Sequence, residues 1–180
     1  MLKMQNDKGF TIIELLVVIV VVAILAAVSV VAYSGVQSRA ENTKTVTAVE
    51  KYIKGLKLYA TKEGKYPAPY FTWMCLGKQT STCGVTPDSA CWGVTSVTGD
   101  ATFVSNLNTF MGSQPEVSTQ ATACSATGKA SGAFYYSADG TNAGVYYFLR
   151  GDVGCGTPGG ASNTRAQSVD TTFCGVTLTL

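Results

Sequence analysis

The fold of this chain is decided by residues 8–16, which read Lys8-Gly9-Phe10-Thr11-Ile12-Ile13-Glu14-Leu15-Leu16. They open an apolar run over residues 10–32, whose polar members are Thr11, Glu14 and Ser29. As a helix, the run would span about 34 Å at 1.5 Å per residue, enough for a hydrocarbon core of about 30 Å. Its many valines would suit a strand in water, but lipid does not tolerate the unpaired backbone groups of a single strand. We therefore predict a membrane-length helix near the start of the chain.

Glu14 is the residue that makes insertion of this helix into a membrane costly in free energy. An acid at the centre of a membrane segment costs roughly 2.5–3.5 kcal/mol, so such a residue usually has a function and a partner. No Lys or Arg lies between Phe10 and Val36, so a positive charge must come from another molecule or from a new chain end. Cutting the Gly9–Phe10 bond would supply that end, an α-amino group with a pKa of about 8. The alternative is that Glu14 has no functional partner and is tolerated because, near the helix end, its carboxylate reaches the membrane interface.

The Gly9-Phe10 junction and the apolar stretch after it resemble the class III signal of type IV pilins and type II secretion pseudopilins. The resemblance continues through Ala32-Tyr33, Arg39-Ala40, Tyr59-Ala60 and Gly64-Lys65-Tyr66-Pro67. It covers about the first third of the chain. One departure is Val31, which stands where many pilins carry a proline.

The resemblance implies the roles of three residues. Gly9 is the residue before the cleavage site, Phe10 is the new N-terminal residue that becomes N-methylated, and Glu14 aligns subunits in a helical filament. It also implies a prepilin peptidase, an assembly ATPase and a membrane platform protein as partners, and no cofactor. The positive leader is expected to stay in the cytoplasm, which places the C-terminus of the precursor outside the cytoplasmic membrane.

The apolar pattern continues beyond the bilayer-length run as the face of an amphipathic helix, at three- and four-residue spacing. Its members are Val46, Val49, Ile53, Leu56 and Ala60. Gly64 is a natural C-cap and Pro67 cannot continue a helix, so we predict one helix of about 54 residues. The expected organisation is a leader at 1–9, a transmembrane and filament-core helix at 10–34, the amphipathic half at 35–65, and a globular head at 66–180.

The head is expected to be a small antiparallel sheet packed on the helix, giving an α+β architecture of the type IV pilin kind. Asp100 is a candidate N-cap for a short helix that ends before Gly112. The aromatic runs 133–137 and 145–149 flank a turn at 139–142 and predict a hairpin. Residues 173–180 predict a third strand, with Val176, Leu178 and Leu180 on one face. Residues 68–132 are expected to be mostly a long connection.

Six cysteines and no histidine indicate an oxidising compartment and a disulfide framework. The cysteines are Cys75, Cys83, Cys91, Cys124, Cys155 and Cys174. Their spacing contains no CxxC pair and fits zinc poorly. Six cysteines allow 15 pairings, and closure between nearest neighbours suggests Cys75–Cys83, Cys91–Cys124 and Cys155–Cys174.

Composition argues against most other classes of function. Without histidine, neither a Ser-His nor a Cys-His site can form, and no P-loop or GxGxxG is present. The net charge of +2 does not support a nucleic-acid partner. A stripe of lysines on the second half of the helix would attract phosphate only weakly, and a solvated or subunit-facing surface is the simpler interpretation. The stripe consists of Lys51, Lys54, Lys57, Lys62 and Lys65.

These observations favour a non-enzymatic, pilin-like subunit that is processed at Gly9–Phe10 and polymerises through its N-terminal helix. One alternative is a pseudopilin of a type II secretion or DNA-uptake machine. Another is a singly anchored extracellular binding domain that never polymerises. Adhesion, twitching motility and DNA capture all remain open as roles of the filament.

Overall fold

A computed structural model of the chain describes residues 10–76, 97–98, 100–118, 121–125, 128–160, 163–168 and 170–180. It has two α-helices, eight strands and one short 3-10 helix (Pro158–Gly160) within these residues. They are α1 (Ile12–Glu63), β1 (Trp73–Leu76), β2 (Val97–Thr98), α2 (Ala101–Met111), β3 (Thr122–Ser125), β4 (Gly128–Ser131), β5 (Ala133–Ser137), β6 (Asn142–Arg150), β7 (Asn163–Ser168) and β8 (Thr171–Thr179). The contacts divide the chain into two compact units, Met1–Gln37 and Ser38–Leu180.

Helix α1 confirms the single long helix expected from the sequence, at 52 residues. Its end is set by Gly64, which has a φ of 72° and whose N–H donates to the Ala60 carbonyl at 2.9 Å. Glycine adopts this left-handed conformation without the steric cost that other residues carry. In the second unit, α1 buries the expected apolar face, with Val49 and Leu56 both fully buried.

The main sheet has the strand order β2-β1-β5-β6-β8-β7. All its neighbouring strands are antiparallel except β1 and β2, which are parallel. The expected hairpin is β5–β6, with Ser137 paired to Ala143 across the turn, and β8 pairs along the whole of β6. Strands β3 and β4 form a separate two-stranded sheet. The α+β fold class, a long helix packed on a small sheet, is therefore confirmed.

The inner face of the sheet forms one core with α1 and α2. Its largest buried side chains include four tyrosines, Tyr52, Tyr66, Tyr135 and Tyr147. Each hydroxyl donates to a backbone carbonyl: Pro115 at 3.0 Å, Thr179 at 3.3 Å, Pro67 at 2.7 Å and Cys155 at 2.7 Å, respectively. Buried phenols without such partners would cost free energy, so these bonds let aromatic side chains fill the core.

Helix α2 forms where Asp100 and Gly112 predict it. The Asp100 carboxylate accepts from the Phe103 N–H at 2.7 Å, and the Gly112 N–H donates to the Asn108 carbonyl at 2.8 Å. The helix packs against α1 at Gly55, where an added Cβ would overlap the side chain of Met111. Gly55 therefore offsets its weak helix propensity by allowing this close approach.

Three features differ from the expectations. Leu180 does not share the buried face of Val176 and Leu178; it lies just beyond the end of β8 and is exposed. The segment expected to be a long connection contains four short strands, β1 to β4, besides α2. Strand β7 was not expected at all, because its sequence, Asn-Thr-Arg-Ala-Gln-Ser, has none of the apolar alternation that marks a strand.

Candidate functional site

The start of α1 is organised by a reciprocal pair of hydrogen bonds between Thr11 and Glu14. The Glu14 carboxylate oxygen Oε2 accepts from the Thr11 N–H at 2.9 Å and from the Thr11 hydroxyl at 2.6 Å. The Glu14 N–H in turn donates to Thr11 Oγ1 at 3.3 Å. This is a capping box, which satisfies N–H groups that a helix N-terminus leaves without partners.

Thr11 is a partner of Glu14 that the sequence-based prediction does not include. Its signal is present as Thr11-Ile12-Ile13-Glu14, the Ser/Thr-x-x-Glu pattern of a capping box just before an apolar run. The cost of a buried carboxylate predicts a cationic partner for Glu14, whereas in the single chain its partner is this neutral residue. The single chain thus has a hydrogen-bonded acid before any second molecule arrives.

The Glu14 carboxylate keeps one oxygen available. All of its bonds within the described residues are made through Oε2. Around it, Phe10, Ile13, Val17 and Val18 line a depression in the surface of the first unit. The carboxylate is exposed in the single chain; if this apolar lining were enclosed, a second donor, above all a charged one, would bind Oε1 strongly.

The rest of the first helix segment is an exposed apolar surface. Phe10 is 81% exposed, and the large apolar side chains that follow it are also exposed. Among the described residues, α1 is the one helix long and apolar enough to cross a membrane, with a mean hydropathy of 3.4 over its best window. Water covers such a surface poorly, so lipid or another protein must bury it. Gly9, the other half of the expected cleavage junction, lies outside the described residues.

The head carries the expected disulfide between Cys155 and Cys174, with Cα atoms 5.7 Å apart. It joins the segment after β6 to the middle of β8, and both residues are buried. Cys75 is also disulfide-bonded. The expected pairings of Cys75 with Cys83 and of Cys91 with Cys124 fall outside the residues that the structure describes.

The Asn42 side chain of α1 pairs with the backbone of Arg150 at the end of β6, as a neighbouring strand would. The Asn42 amide donates to the Arg150 carbonyl at 2.9 Å, and its Oδ1 accepts from the Arg150 N–H at 2.8 Å. The end of β6 is thereby fixed to α1 near the base of the second unit. Close by, Lys44 pairs with Glu116 at 3.4 Å, but both side chains are largely exposed, and such pairs contribute little.

The lysine stripe is exposed to solvent, with four members on α1 and Lys65 beyond its end. Two of its members have partners. Lys57 donates to the Gly159 carbonyl at 3.2 Å. Lys62 lies 3.5 Å from the Glu63 carboxylate and over the Phe110 ring, 5.4 Å from its centroid. Across the described ranges, no group of three or more acidic, His or Cys side chains is placed to hold a metal ion.

Comparison with known proteins adds information mainly about the N-terminal part of the chain. The family pattern described as "Prokaryotic N-terminal methylation motif" matches residues 4–30. The type IV wide pilus major component PilA4 of Thermus thermophilus is 34% identical over 83 residues, which are 46% of this chain and 63% of that protein.

Two further relatives are named for two different systems, a type IV pilus and a type II secretion system. The type IV major pilin protein PilE1 of Neisseria gonorrhoeae is 40% identical over 61 residues, 34% of this chain and 37% of that protein. The type II secretion system core protein G of Klebsiella michiganensis is 32% identical over 66 residues, 37% of this chain and 46% of that protein. The chain thus spans less than two thirds of the length of each of these relatives. No solved structure matches it.

Proposed function

Because its N-terminal motif and its relatives identify this chain as a member of the type IV pilin and pseudopilin family, we propose that it is the structural subunit of a pilus-like filament. The observation that carries the proposal is the capped acid at the start of the N-terminal part of α1, whose large apolar side chains are exposed. An assembly of such helices buries the apolar surface and supplies the acid with a charged partner.

In this proposal, a prepilin peptidase cuts after Gly9 and the new N-terminal Phe10 is methylated. The subunit waits as a single-pass precursor in the cytoplasmic membrane, with its head outside. The assembly ATPase and platform protein supply the work of extraction. The division into a leader at 1–9, a filament-core helix at 10–34, an amphipathic helix at 35–65 and a head at 66–180 belongs to the same proposal.

Assembly is an exchange of one apolar environment for another. The apolar surface of residues 10–32 leaves lipid only if neighbouring helices bury it equally well. The carboxylate must then enter a drier site, where an unpaired charge is very costly. The α-ammonium of a neighbouring Phe10 can bind the unused Oε1 of Glu14 while Oε2 keeps its bonds to Thr11. The acid thereby favours the alignment in which it meets a chain end.

Replacement of Glu14 by Val tests the assigned role. The variant removes a charge from an apolar helix, so membrane insertion and cleavage should continue while filament yield falls sharply. Ser29→Val is the matched control, because it removes a polar side chain that only bonds its own helix, at Leu25. Normal filament yield from Glu14→Val, or an equal loss from Ser29→Val, would contradict the role of the acid.

The relative in the type II secretion system supports a second candidate, a pseudopilin. The two candidates share the processing and the helix packing, and they differ in the length and location of the polymer. Imaging of cells that produce the chain separates them: long surface filaments indicate a pilin. Secretion that depends on the chain without such filaments indicates a pseudopilin.

A further inference from the structure

The second half of α1 is held on two opposite sides by parts of the head. On one side, Gly55 lies against Met111 of α2, where an added Cβ would overlap the methionine side chain. On the other side, Ile53 lies against Gly159, where an added Cβ would overlap the isoleucine side chain. Two helix positions that differ by two residues are separated by about 200° around the axis, so these contacts oppose each other. The buried Leu56 belongs to the face between them, which packs on the sheet.

The second of these contacts is made by residues 153–159, which follow β6 and which we call the strap. At one end of the strap, Val153 lines a groove together with Val46 of α1. At the other end, the Gly159 carbonyl accepts a hydrogen bond from the Lys57 ammonium at 3.2 Å. From Val46 to Lys57 a helix rises about 16 Å, a distance that the strap can span as an extended chain. The strap therefore runs along one flank of α1.

The strap is also attached to the sheet, by a disulfide and by hydrogen bonds. Cys155 forms the disulfide with Cys174 in β8, and its carbonyl accepts from the Tyr147 hydroxyl at 2.7 Å. The Val153 N–H donates to the Thr172 hydroxyl oxygen at 3.2 Å. These partners belong to β6 and β8, which are neighbours in the sheet. The strap is thus fixed to the sheet on one side and to α1 on the other.

The remaining side of α1 is open. Its members Thr47, Lys51, Lys54 and Leu58 are exposed, so no described part of the head covers the helix there. The sheet, α2 and the strap are therefore the parts that keep α1 on the head. Since α1 continues from the apolar run into the head, a pull on its first half reaches the head through these contacts.

We propose that the strap fixes α1 to the head, and that the Cys155–Cys174 bridge keeps α1 in place through the strap. Lys57 is then a positioning residue of this contact and not a member of a phosphate-binding surface. The coupling acts in both directions, so loosening the strap exposes the bridge and opening the bridge loosens the helix. This inference concerns the head alone and does not depend on the proposed filament.

The first experiment measures how fast a small thiol reductant opens the bridge in the folded full chain in detergent. Opening is followed by mass spectrometry of the alkylated Cys155 peptide. Lys57→Met removes the bond to the strap but keeps the aliphatic stem, and we expect roughly threefold faster opening, the factor for one exposed hydrogen bond. Gly159→Ala should speed opening roughly tenfold, because its φ of 67° disfavours alanine and its Cβ would meet Ile53.

Two further variants serve as controls for this rate. Lys54→Met changes a lysine on the open side of α1 and should leave the rate unchanged. Asp100→Ala removes the N-cap of α2, which lowers the stability of the head at a place outside the strap, and it should not speed opening either. Equal acceleration by Asp100→Ala and Lys57→Met would show that opening follows general unfolding, which overturns the proposal. Unchanged opening in both strap variants overturns it as well.

The second experiment measures the coupling in the opposite direction, by amide hydrogen exchange of the full chain carrying Cys155→Ala and Cys174→Ala. Strand β5 lies between β1 and β6 in the sheet and serves as the internal reference for the stability of the whole head. Relative to β5, the amides of residues 50–57 in α1 should exchange roughly fivefold faster than in the parent chain. An equal increase in α1 and β5 would show that the bridge acts only on the unfolded chain, and the proposal would be wrong.

Discussion

The disulfide between Cys155 and Cys174 gives the most quantitative prediction about the head. The linked residues are separated by 19 positions. For a loop of this length the chain-entropy relation gives about 11 cal/mol/K, or about 3 kcal/mol at 25 °C. We expect the double variant Cys155→Ala/Cys174→Ala to lose about 3 kcal/mol of unfolding free energy, because the unfolded chain regains that freedom. Alanine is preferred to serine at these positions, because both sites are buried and would not satisfy a hydroxyl.

The assay is urea unfolding of the full chain in detergent, followed by near-ultraviolet circular dichroism of the head aromatics. Reductant at a concentration that opens exposed disulfides provides a second comparison. Buried Cys155–Cys174 should resist it in the folded head, so the parent chain should stay more stable than the variant. A loss below about 1 kcal/mol would show that the bridge does not restrict the unfolded chain as the loop-closure argument requires.

Three further predictions concern single side chains. Burial raises the pKa of Tyr147 from 10.0 to about 12, so this residue contributes fully to the stability of the head below pH 10, and its contribution is lost as the pH rises toward 12. The tyrosinate absorbance that the parent chain has and a Tyr147→Phe variant lacks should therefore appear together with unfolding, and its appearance while the head is still folded would contradict this. Asn42→Ala should cost the head about 1 kcal/mol, the net value of its exposed bonds to Arg150, measured by urea unfolding, and no loss would show that water replaces them fully. Thr11→Val should speed amide exchange at the start of α1 by roughly fivefold, since an N-cap contributes about 1 kcal/mol; Thr11→Ser should not, and equal rates in both variants would exclude the capping role.

Much of the fold could be predicted because local signals and burial agree. In α1, the apolar spacing of Val49, Ile53 and Leu56 marks the face that the sheet covers, and Gly64 marks the end. The hairpin strands combine aromatic residues with a turn, so their pairing follows from the sequence, but β6 begins at Asn142, before the expected start at Val145. An element can be predicted from the sequence when its local preference agrees with the packing around it.

The other strands could not be predicted, because they are determined by their neighbours. Strand β7 pairs along β8 through its backbone, and its polar composition gives no sign of this. Strand β2 has two residues, Val97 and Thr98, and exists only as the parallel partner of β1. Leu180 shows the reverse error: it continues the alternation of Val176 and Leu178, but the strand ends at Thr179.

At the candidate site, the sequence identified the acid but not its local partner. The cost of Glu14 in an apolar helix can be recognised from the sequence, and the assembly role assigned to this residue stays a prediction. The capping bond between Thr11 and Glu14 could also be predicted from the sequence, because the two residues have the three-residue spacing of a capping box.

The central claim is that this chain becomes a filament subunit by losing its leader. The most direct measurement is mass spectrometry of the N-terminal peptide from polymers sheared off producing cells. The account predicts a peptide that begins at Phe10 and carries a methyl group on its α-nitrogen. Assembled chain that still carries residues 1–9, or chain that is found only in the membrane and never in the sheared material, would contradict it.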